Sequence, residues 1–441
     1  MMRIYDIITA MMKTVVALFA VVVAIWAVAD ESREAELKAA LPGIFAKSAA
    51  HYKALDAAAT PLMKDEKGQL RTPHGFSREK RALDMRSIYW WTSGHFPGSL
   101  WYLYEATGEA FFKDRATAWT EILAPVSKYR DNHDVGFMMC CSYGNARRIL
   151  GTDRYDALLR ETAESLSARY DDELGLIRSW GKIGNKNEFL VIPDNMMNLE
   201  LLEAVSGSEK VGENSSSSRK EVEVHSPTPT LSSNSMRFDK IARSHADVSM
   251  RHHFRPDGGC YHVLNYDQRP GFLGTVQEIR RGQGLSCETA WSRGQSWGIY
   301  GYTMMYRFTK ELRYLEFAQK LADYAINHPN MPEDGIPYWD YGAPGEERDS
   351  SAGAVMASAL LELSGFVPGE KGVAYRAFAV KQLVSLSSPA YFSEGDEIGH
   401  FLLKHGVGSK PSNSEVDTPL DYGDYYYLEA LMRFRTIVCN N

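Results

Sequence analysis

The stretch Val-Ile-Pro-Asp-Asn-Met-Met-Asn-Leu, residues 191–199, places one carboxylate after a proline and directly before a run of helix formers. Apolar Met197, Leu201 and Leu202 follow at helical spacing, so the stretch predicts a helix that begins beside Asp194. An aspartate in this place is most often an N-cap that accepts hydrogen bonds from free backbone N–H groups. On this stretch alone, a cap and a functional carboxylate both stay open.

Two further stretches could belong to the same site as the first, one with an aspartate before a helix and one rich in tryptophan and glycine. His-Asp-Val-Gly-Phe, residues 133–137, again places an aspartate at the start of a helix. The stretch 291–302 reads Trp-Ser-Arg-Gly-Gln-Ser-Trp-Gly-Ile-Tyr-Gly-Tyr, and each glycine inside a helix costs about 1 kcal/mol relative to alanine. Such glycines indicate close helix packing or room for a ligand. Arg293 lies between two tryptophans, where a buried guanidinium needs an anionic partner.

A repeated pattern of helix pairs covers the chain. In each repeat an apolar helix ends in a polar or glycine-containing turn, and an amphipathic helix follows. The pattern occurs at residues 103–112, 145–155 and 302–314. One of the predicted helices runs from about Ala110 to Tyr129. Repeats of this kind, without long strand signals, are typical of stacked helical hairpins in an open solenoid or a closed ring. Periodicity does not separate the two.

The composition describes a globular chain of 441 residues, of which 44% are hydrophobic, with a net charge of −7. This acidic balance argues against a nucleic-acid partner. The five cysteines form no Cys-x-x-Cys pair and no zinc spacing, and one bridge between Cys260 and Cys287 is left open. The aromatic content of 12% fits either core packing or a sugar-stacking cleft.

The N-terminus has the pattern of an export signal. Lys13 precedes an apolar run from Val15 to Trp26, and Ala-Val-Ala at 27–29 matches a small-residue cleavage site. We therefore expect a signal peptide over residues 1–29, cleavage after Ala29, a periplasmic or secreted product, and no membrane span after cleavage. An uncleaved anchor is the alternative, but the run is shorter than the roughly 20 residues that a bilayer needs.

Residues 206–235 interrupt the helical pattern. They are rich in Ser, Glu, Lys, Pro and Thr and nearly lack apolar side chains, which predicts a disordered insertion. Because the helix-pair pattern appears on both sides, residues 30–441 are predicted to form one domain. We expect a monomer or a weak homo-oligomer.

At these motifs the sequence resembles the unsaturated glucuronyl hydrolases, glycoside hydrolase family 88. The resemblance is carried by residues 133–137, 194–199 and 291–302, and it extends to 348–352 and 423–430. It implies an (α/α)6 barrel of six helical hairpins. It also implies an oligosaccharide substrate with a 4,5-unsaturated uronic acid at its non-reducing end, and neither a metal nor an organic cofactor. Two aspartates are essential in this family, and they match Asp134 and Asp194.

The reaction that the resemblance implies is hydration of an enol ether. Protonation of C4 leaves an oxocarbenium-like centre at C5, and water adding there gives a hemiketal that opens and expels the neighbouring sugar. One carboxyl group can donate the first proton and accept one from water if its pKa lies near the working pH. This role is assigned to Asp194. Asp134 is expected to hold the sugar hydroxyls and to raise the pKa of Asp194 against the effect of the helix N-terminus.

Further residues are predicted to bind the substrate. Arg293 could provide a positive charge for the uronate or belong to a buried structural ion pair, and the sequence leaves both open. His262 could contact the substrate or be a histidine of the core, and both are likewise open. Lys410 falls where members of the family meet the second sugar, and it suggests a sulfated partner. The predicted set is Trp91, His262, Gln283, Trp291, Arg293, Trp297 and Lys410, whereas Trp101, Trp119 and Trp339 are expected in the core.

The sequence departs from the family pattern at two places. The insertion at 206–235 is long, and Phe96-Pro97-Gly98 replaces a more usual Trp-Ser-Gly. Both departures concern the rim of the pocket and hence its specificity. Two other functions remain open: a hydrolase of unsaturated rhamnogalacturonan fragments with the same barrel, and a non-catalytic glycan-binding α/α barrel. The presence of both aspartates argues against the second.

Overall fold

The computed structural model describes residues 2–212 and 233–439, with side chains described for 31–206 and 236–439. This part of the chain is mainly helical. The helices are α1 (Met2–Ala59), α2 (His95–Thr107), α3 (Ala110–Glu121), α4 (Val135–Met139), α5 (Asn145–Leu150), α6 (Asp156–Ser167), α7 (Asn195–Gly212), α8 (Ser233–His252), α9 (Ser292–Thr309), α10 (Leu312–Ile326), α11 (Ser350–Ser364), α12 (Glu370–Leu386) and α13 (Asp421–Cys439).

Six inner helical segments form a closed ring. Each of α2, α4 with α5, α7, α9, α11 and α13 packs on the next, and α13 returns to pack on α2. The outer helices α1, α3, α6, α8, α10 and α12 surround them. The contact between α13 and α2 distinguishes a ring from a solenoid. The prediction of an (α/α)6 barrel is therefore confirmed.

The glycines of the third sequence stretch serve close packing. A Cβ on Gly301 of α9 would lie 2.5 Å from the Met196 Cβ of α7, and a Cβ on Gly294 would lie 2.6 Å from the Trp291 ring. Since real Cβ atoms do not approach this closely, only glycine lets α9 lie this near α7 at Gly301 and lets the Trp291 ring lie on the first turn of α9 at Gly294. For Gly301, close helix packing is the explanation observed, whereas the space beside Gly294 holds the Trp291 ring.

Short antiparallel strands connect the helices at one end of the barrel. They are β1 (Arg71–Ser77), β2 (Ala82–Ser87), β3 (Tyr170–Asp171), β4 (Leu176–Ile177), β5 (Leu190–Val191), β6 (Val263–Tyr266) and β7 (Val276–Arg280). In the sheet β5-β6-β7, Leu190 pairs with Asn265 and Val191 with Leu264. Because β5 leads into Asp194 and β6 follows His262, this pairing brings the two segments together.

One helix differs from the sequence prediction, and one inner segment is interrupted. The helix predicted over 110–129 ends at Glu121, and a 3₁₀ turn follows from Ala124 to Lys128. Pro125 explains the break, because proline has no N–H to continue the helical hydrogen bonds. The second inner segment is also interrupted, since a π-turn over Cys140–Gly144 joins α4 to α5.

Two predicted segments extend beyond the residues whose side chains the structure describes. The predicted signal peptide, residues 1–29, falls outside the described side chains, and residues 213–232 of the predicted insertion fall outside the described residues altogether. Helices α7 and α8 occupy its two ends. Within the described part of the chain, no helix has both the length and the hydropathy needed to cross a membrane.

Buried side chains fill the space between the two helix layers. Trp101, Trp119 and Trp339 are buried, which confirms their assignment to the core. The Trp119 Nε1 donates to Asp56 Oδ1 at 2.7 Å, so the buried indole N–H has a partner. All five cysteines are free, and the bridge between Cys260 and Cys287 that the sequence left open is absent.

Candidate active site

The site lies where the N-termini of the inner helices converge. Asp134 directly precedes α4, Asp194 precedes α7, and Asp349 precedes α11. Asp349 is an ordinary N-cap, because its side chain accepts from the backbone N–H groups of Ser351 and Ala352. The side chain of Asp134 makes no such bond, and Asp194 Oδ2 is buried without a hydrogen-bond partner. Similar sequence positions therefore hold a capping aspartate and two non-capping ones.

Asp134 and Asp194 lie close enough for their charges to interact, and both are nearly out of water. Their exposed fractions are 6% and 8%. Burial, together with the charge of Asp194, raises the pKa of Asp134 to about 7 against the opposing hydrogen bonds of Asn198 and Asn132. Burial likewise raises the pKa of Asp194 to about 7, although the charge of Arg293 opposes this. Desolvation therefore outweighs the helix N-termini, which favour the anion.

Buried polar atoms without partners occur on side chains around the aspartates. They are His133 Nε2, Asp194 Oδ2 and His262 Nε2. Buried polar groups are nearly always hydrogen-bonded, so each such atom needs an explanation. Atoms that await a ligand's hydroxyl or carboxylate groups provide one.

Trp291, Arg293 and His262 form a stack. The ring centroids of Trp291 and His262 are 4.4 Å apart. The guanidinium carbon of Arg293 lies 4.5 Å from the Trp291 ring centroid. Arg293 is fully buried, its Nη1 lies 3.4 Å from Asp349 Oδ2, and it also donates to the carbonyl oxygens of Val407 and Gly408. The guanidinium thus has its anionic partner inside the protein, as in the structural alternative left open by the sequence.

His262 and Gln283 are linked at one side of this stack. The backbone N–H of Gln283 donates to His262 Nδ1 at 2.6 Å, and the Gln283 side chain donates to the Gly408 carbonyl at 2.6 Å. Burial, with the charge of Arg293 adding to it, lowers the pKa of His262 to about 3. His262 is therefore neutral, with its Nε2 as the unpartnered atom.

The other predicted binding residues occupy different surroundings. Trp91 is partly buried against Phe137 and Tyr422, at centroid distances of 5.6 and 4.8 Å. Trp297 has no exposed surface and packs against Phe137, so its ring faces the protein interior. Lys410 pairs with Glu347 in a surface groove. The roles of Trp91, Trp297 and Lys410 toward a sugar stay predictions.

Sequence reasoning missed two residues beside the aspartates. The Trp180 ring centroid lies 6.3 Å from that of His133, and Trp180 is only partly buried. Its loop is fixed by Arg169, which donates to the backbone oxygens of Ser179 and Gly181. Asn198 lies between Asp134 and Asp194. The signal for Trp180 was an aromatic residue in a polar, glycine-containing loop shortly before the Asp194 stretch.

A cavity of about 590 Å³ lies at the opposite end of the inner helices. Its acidic and basic residues pair with one another, as in Glu105 with Arg148 and Glu200 with Arg307. Phe137 and Tyr426 line the cavity, and both pack on the buried Trp297. The cavity does not include the two aspartates, so the candidate chemistry lies at the other end.

The described residues include one set of side chains with spacing suited to a metal ion. Ligand atoms of His74, Asp84 and Glu415 lie within 4.8 Å of one another. The Arg86 guanidinium lies 2.7 Å from Asp84 and 3.7 Å from Glu415, and His74 Nδ1 lies 3.3 Å from Asp421. Burial lowers the pKa of His74, but its hydrogen bonds to Asp421 and Glu415 outweigh burial and raise the pKa to about 10. His74 is therefore a cation, and with Arg86 it already pairs with these carboxylates within the protein.

Comparisons with known proteins give consistent matches. The chain is 38% identical over 353 residues to an unsaturated glucuronyl hydrolase of Formosa agariphila, which covers 79% of this chain and 80% of that protein. It is 31% identical over 360 residues to an unsaturated chondroitin disaccharide hydrolase of Streptococcus pyogenes serotype M1, with 78% and 81% covered. The crystal structure of an unsaturated glucuronyl hydrolase specific for heparin matches with a TM-score of 0.76 at 38% identity, over 90% of this chain and 98% of that one. No family model matches the chain.

The raised pKa of Asp194 predicts how its replacement changes stability with pH. A carboxyl group whose pKa is about 7 when folded and about 3.9 when unfolded binds more protons in the folded state, so wild-type stability falls between about pH 4 and 7. Asp194→Asn removes this loss. We expect the variant to exceed the wild type by up to about 4 kcal/mol above pH 7 and to show no gain at pH 4.

Urea unfolding at pH 4 and pH 8 measures this difference. Asp349→Asn is the matched control, because it removes the anion beside buried Arg293 and should destabilise the protein at both pH values. An Asp194→Asn effect of equal size at the two pH values would contradict the assignment of a desolvated carboxyl group.

Proposed function

The chain belongs to the unsaturated glucuronyl hydrolase family, and from this premise we propose that Asp194 and Asp134 carry its reaction at the N-terminal mouth of the barrel. The protein is a glycosidase that removes a 4,5-unsaturated uronic acid from the non-reducing end of lyase-generated oligosaccharides. The observation that carries the residue assignment is the pair of buried carboxyl groups, both with pKa raised to about 7.

Asp194 is the general acid and then the general base. Its protonated carboxyl group donates a proton to C4 of the unsaturated uronide, and positive charge develops at C5 and the ring oxygen. The resulting carboxylate accepts a proton from the water that adds to C5. The hemiketal then opens and releases the neighbouring sugar, and Asp194 ends the cycle protonated. A pKa near 7 suits both proton transfers.

Asp134 is the companion carboxylate. Its negative charge opposes ionisation of Asp194 and stabilises the positive charge that develops on the sugar ring. Its accessible oxygen can also accept hydrogen bonds from sugar hydroxyls. The partly buried Trp91 and Trp180, and the more exposed Tyr89 and Trp90, supply aromatic surface at the same mouth.

The substrate is proposed to be a glycosaminoglycan-type disaccharide. The relatives named above act on chondroitin disaccharides in one case and are specific for heparin in another. The same kind of barrel could accept rhamnogalacturonan fragments, which is the alternative substrate. Lys410 remains the candidate contact for a sulfate on the second sugar, and its ion pair with Glu347 would have to open for that contact.

The proposed export of the protein rests on residues 1–29. Expression of the full chain in a bacterial host should give a periplasmic or secreted product that begins at Asp30. N-terminal sequencing of that product and cell fractionation check the expectation. A chain that keeps residues 1–29 and sediments with membranes would contradict it and favour an uncleaved anchor.

A panel of unsaturated disaccharides tests the proposed function. We expect the ultraviolet absorbance of the conjugated double bond to decay with disaccharides from chondroitin, hyaluronan or heparin, and more slowly with a pectin-derived one. In deuterated water, the released product should carry deuterium at C4, because the proton added there comes from solvent through Asp194. Preferential decay with the pectin-derived substrate would support the rhamnogalacturonan alternative, and no decay with any substrate would leave a glycan-binding barrel.

The two aspartates are tested by isosteric substitution. Asp194→Asn should lower kcat by about 10² to 10⁴ fold, because the amide cannot exchange the proton. Asp134→Asn should also lower kcat, and wild-type kcat/KM should fall as the pH rises above about 7, where Asp194 loses its proton. Asp156→Asn, at an aspartate that lines the opposite cavity, should keep wild-type turnover. Near-normal turnover by Asp194→Asn together with loss of activity in Asp134→Asn would reverse the roles.

A further inference from the structure

Asn198 joins the two segments that carry the aspartates. It lies on α7, one helical turn after Asp194, and is buried. Its Nδ2 lies 3.2 Å from the backbone oxygen of Asp194 and 3.4 Å from Asp134 Oδ1. Its Oδ1 accepts from the Phe137 N–H at 2.8 Å. Because a backbone N–H only donates, the oxygen of the amide must face Phe137, and the NH₂ group must therefore face Asp134.

The start of α4 is packed directly on Asn198. A Cβ on Gly136 would lie 2.6 Å from Asn198 Oδ1 and from its Cα. Only a glycine permits this approach, so the amide has little freedom to turn away from Asp134. The contact fixes Asn198 as the link between α4 and α7.

His133 reinforces the same orientation. Asn198 Nδ2 lies 3.5 Å from His133 Nδ1, which acts as an acceptor in that contact. Burial lowers the pKa of His133 well below its ordinary value, so the ring is neutral and its single proton lies on Nε2. His133 Nε2 lies 3.3 Å from Asp134 Oδ1. That contact lacks hydrogen-bond geometry, so Asn198 provides the side-chain donor to Asp134 from α7.

The two carboxyl groups differ in their partners. Burial and the charge of Asp194 raise the pKa of Asp134, and the hydrogen bonds donated by Asn198 and Asn132 oppose that rise by favouring the ionised form. Asp194 Oδ2 has no hydrogen-bond partner, and an unpartnered buried carboxyl favours its protonated form. The other charged or titratable groups that face the pair are Arg169 and Tyr129 for Asp134, and Arg293 and Cys260 for Asp194.

We propose that Asn198 is a positioning residue that keeps the negative charge on Asp134 and thereby leaves the exchangeable proton on Asp194. This inference rests on the function proposed above, because it concerns which of the two carboxyl groups is ready to protonate C4. Asn198 touches neither the transferred proton nor the sugar carbon. It acts through Asp134.

Asn198→Asp tests the inference with little change in shape. The new side chain keeps an oxygen for the Phe137 N–H but replaces the NH₂ donor with an acceptor. Asp134 then loses a donor, gains a like charge, and takes up the proton more readily. Since activity needs Asp134 ionised, the acidic limb of the kcat/KM profile should move to higher pH by about one unit or more. We expect kcat to fall about tenfold or more, with a smaller change in KM.

Asn145→Asp is the matched control. Asn145 is also a buried asparagine of the inner ring, and its Nδ2 donates to Tyr425 Oη and the Cys141 oxygen, away from both aspartates. The control should lose stability without moving the acidic limb. An Asn198→Asp variant that folds and lowers kcat with both limbs of the profile unmoved would overturn the positioning role. Absence of activity in the wild type would instead count against the proposed function.

A measurement on the wild-type chain covers the case in which Asn198→Asp does not fold. Carboxyl ¹³C signals of labelled aspartate, assigned with Asp134→Asn and Asp194→Asn, report which side chain titrates first. With one proton on the pair, the Asp194 signal should have the shift of a protonated carboxyl and the Asp134 signal that of a carboxylate. The reverse distribution would overturn the inference.

Discussion

Desolvation of two carboxyl groups at helix N-termini is the constraint on which the site depends. A helix N-terminus favours an anion, and Asp349 shows the ordinary result, since it caps α11 and pairs with Arg293. Asp134 and Asp194 stand in the same kind of position with few bonds to the helix ends. Their burial raises the pKa of each to about 7 because water and capping donors no longer stabilise the charge. The same fold therefore makes structural anions and titrating groups from one residue type.

The barrel separates this chemistry from its structural charges. At the N-terminal end of the inner helices lie the two aspartates, with the unpartnered Oδ2 of Asp194, and the aromatic rim. At the C-terminal end, arginines such as Arg307 and Arg433 lie among glutamates and helix carbonyl oxygens, where cations suit the helix dipole. Phe137, Trp297 and Tyr426 pack between the two ends. Charge pairing at the far end stabilises the ring without altering the pair at the mouth.

Arg293 connects the fold to the site. Its guanidinium bonds to Asp349 and to the carbonyl oxygens of Val407 and Gly408, and it lies over Trp291 and Tyr422. One buried cation thus joins α9, α11 and α13 to the loop that carries Lys410. Burial raises the pKa of Asp194, and the charge of Arg293 opposes that rise. Burial lowers the pKa of His262, and the charge of Arg293 lowers it further. Removing it would disturb packing and electrostatics together.

The sequence by itself determined the helical hairpins, the family resemblance and the two aspartates, because local periodicity and short motifs are written in neighbouring residues. It left open whether the hairpins form a solenoid or a ring, whether Arg293 is a free charge or a buried pair, and which aspartates are caps. Those answers depend on contacts between residues far apart in the chain, such as α13 with α2, Arg293 with Val407, and Asn198 with Asp134. A pattern reports which face of a helix is buried. Only the tertiary structure decides what covers that face, and hence which buried carboxyl group finds a partner and which keeps its proton.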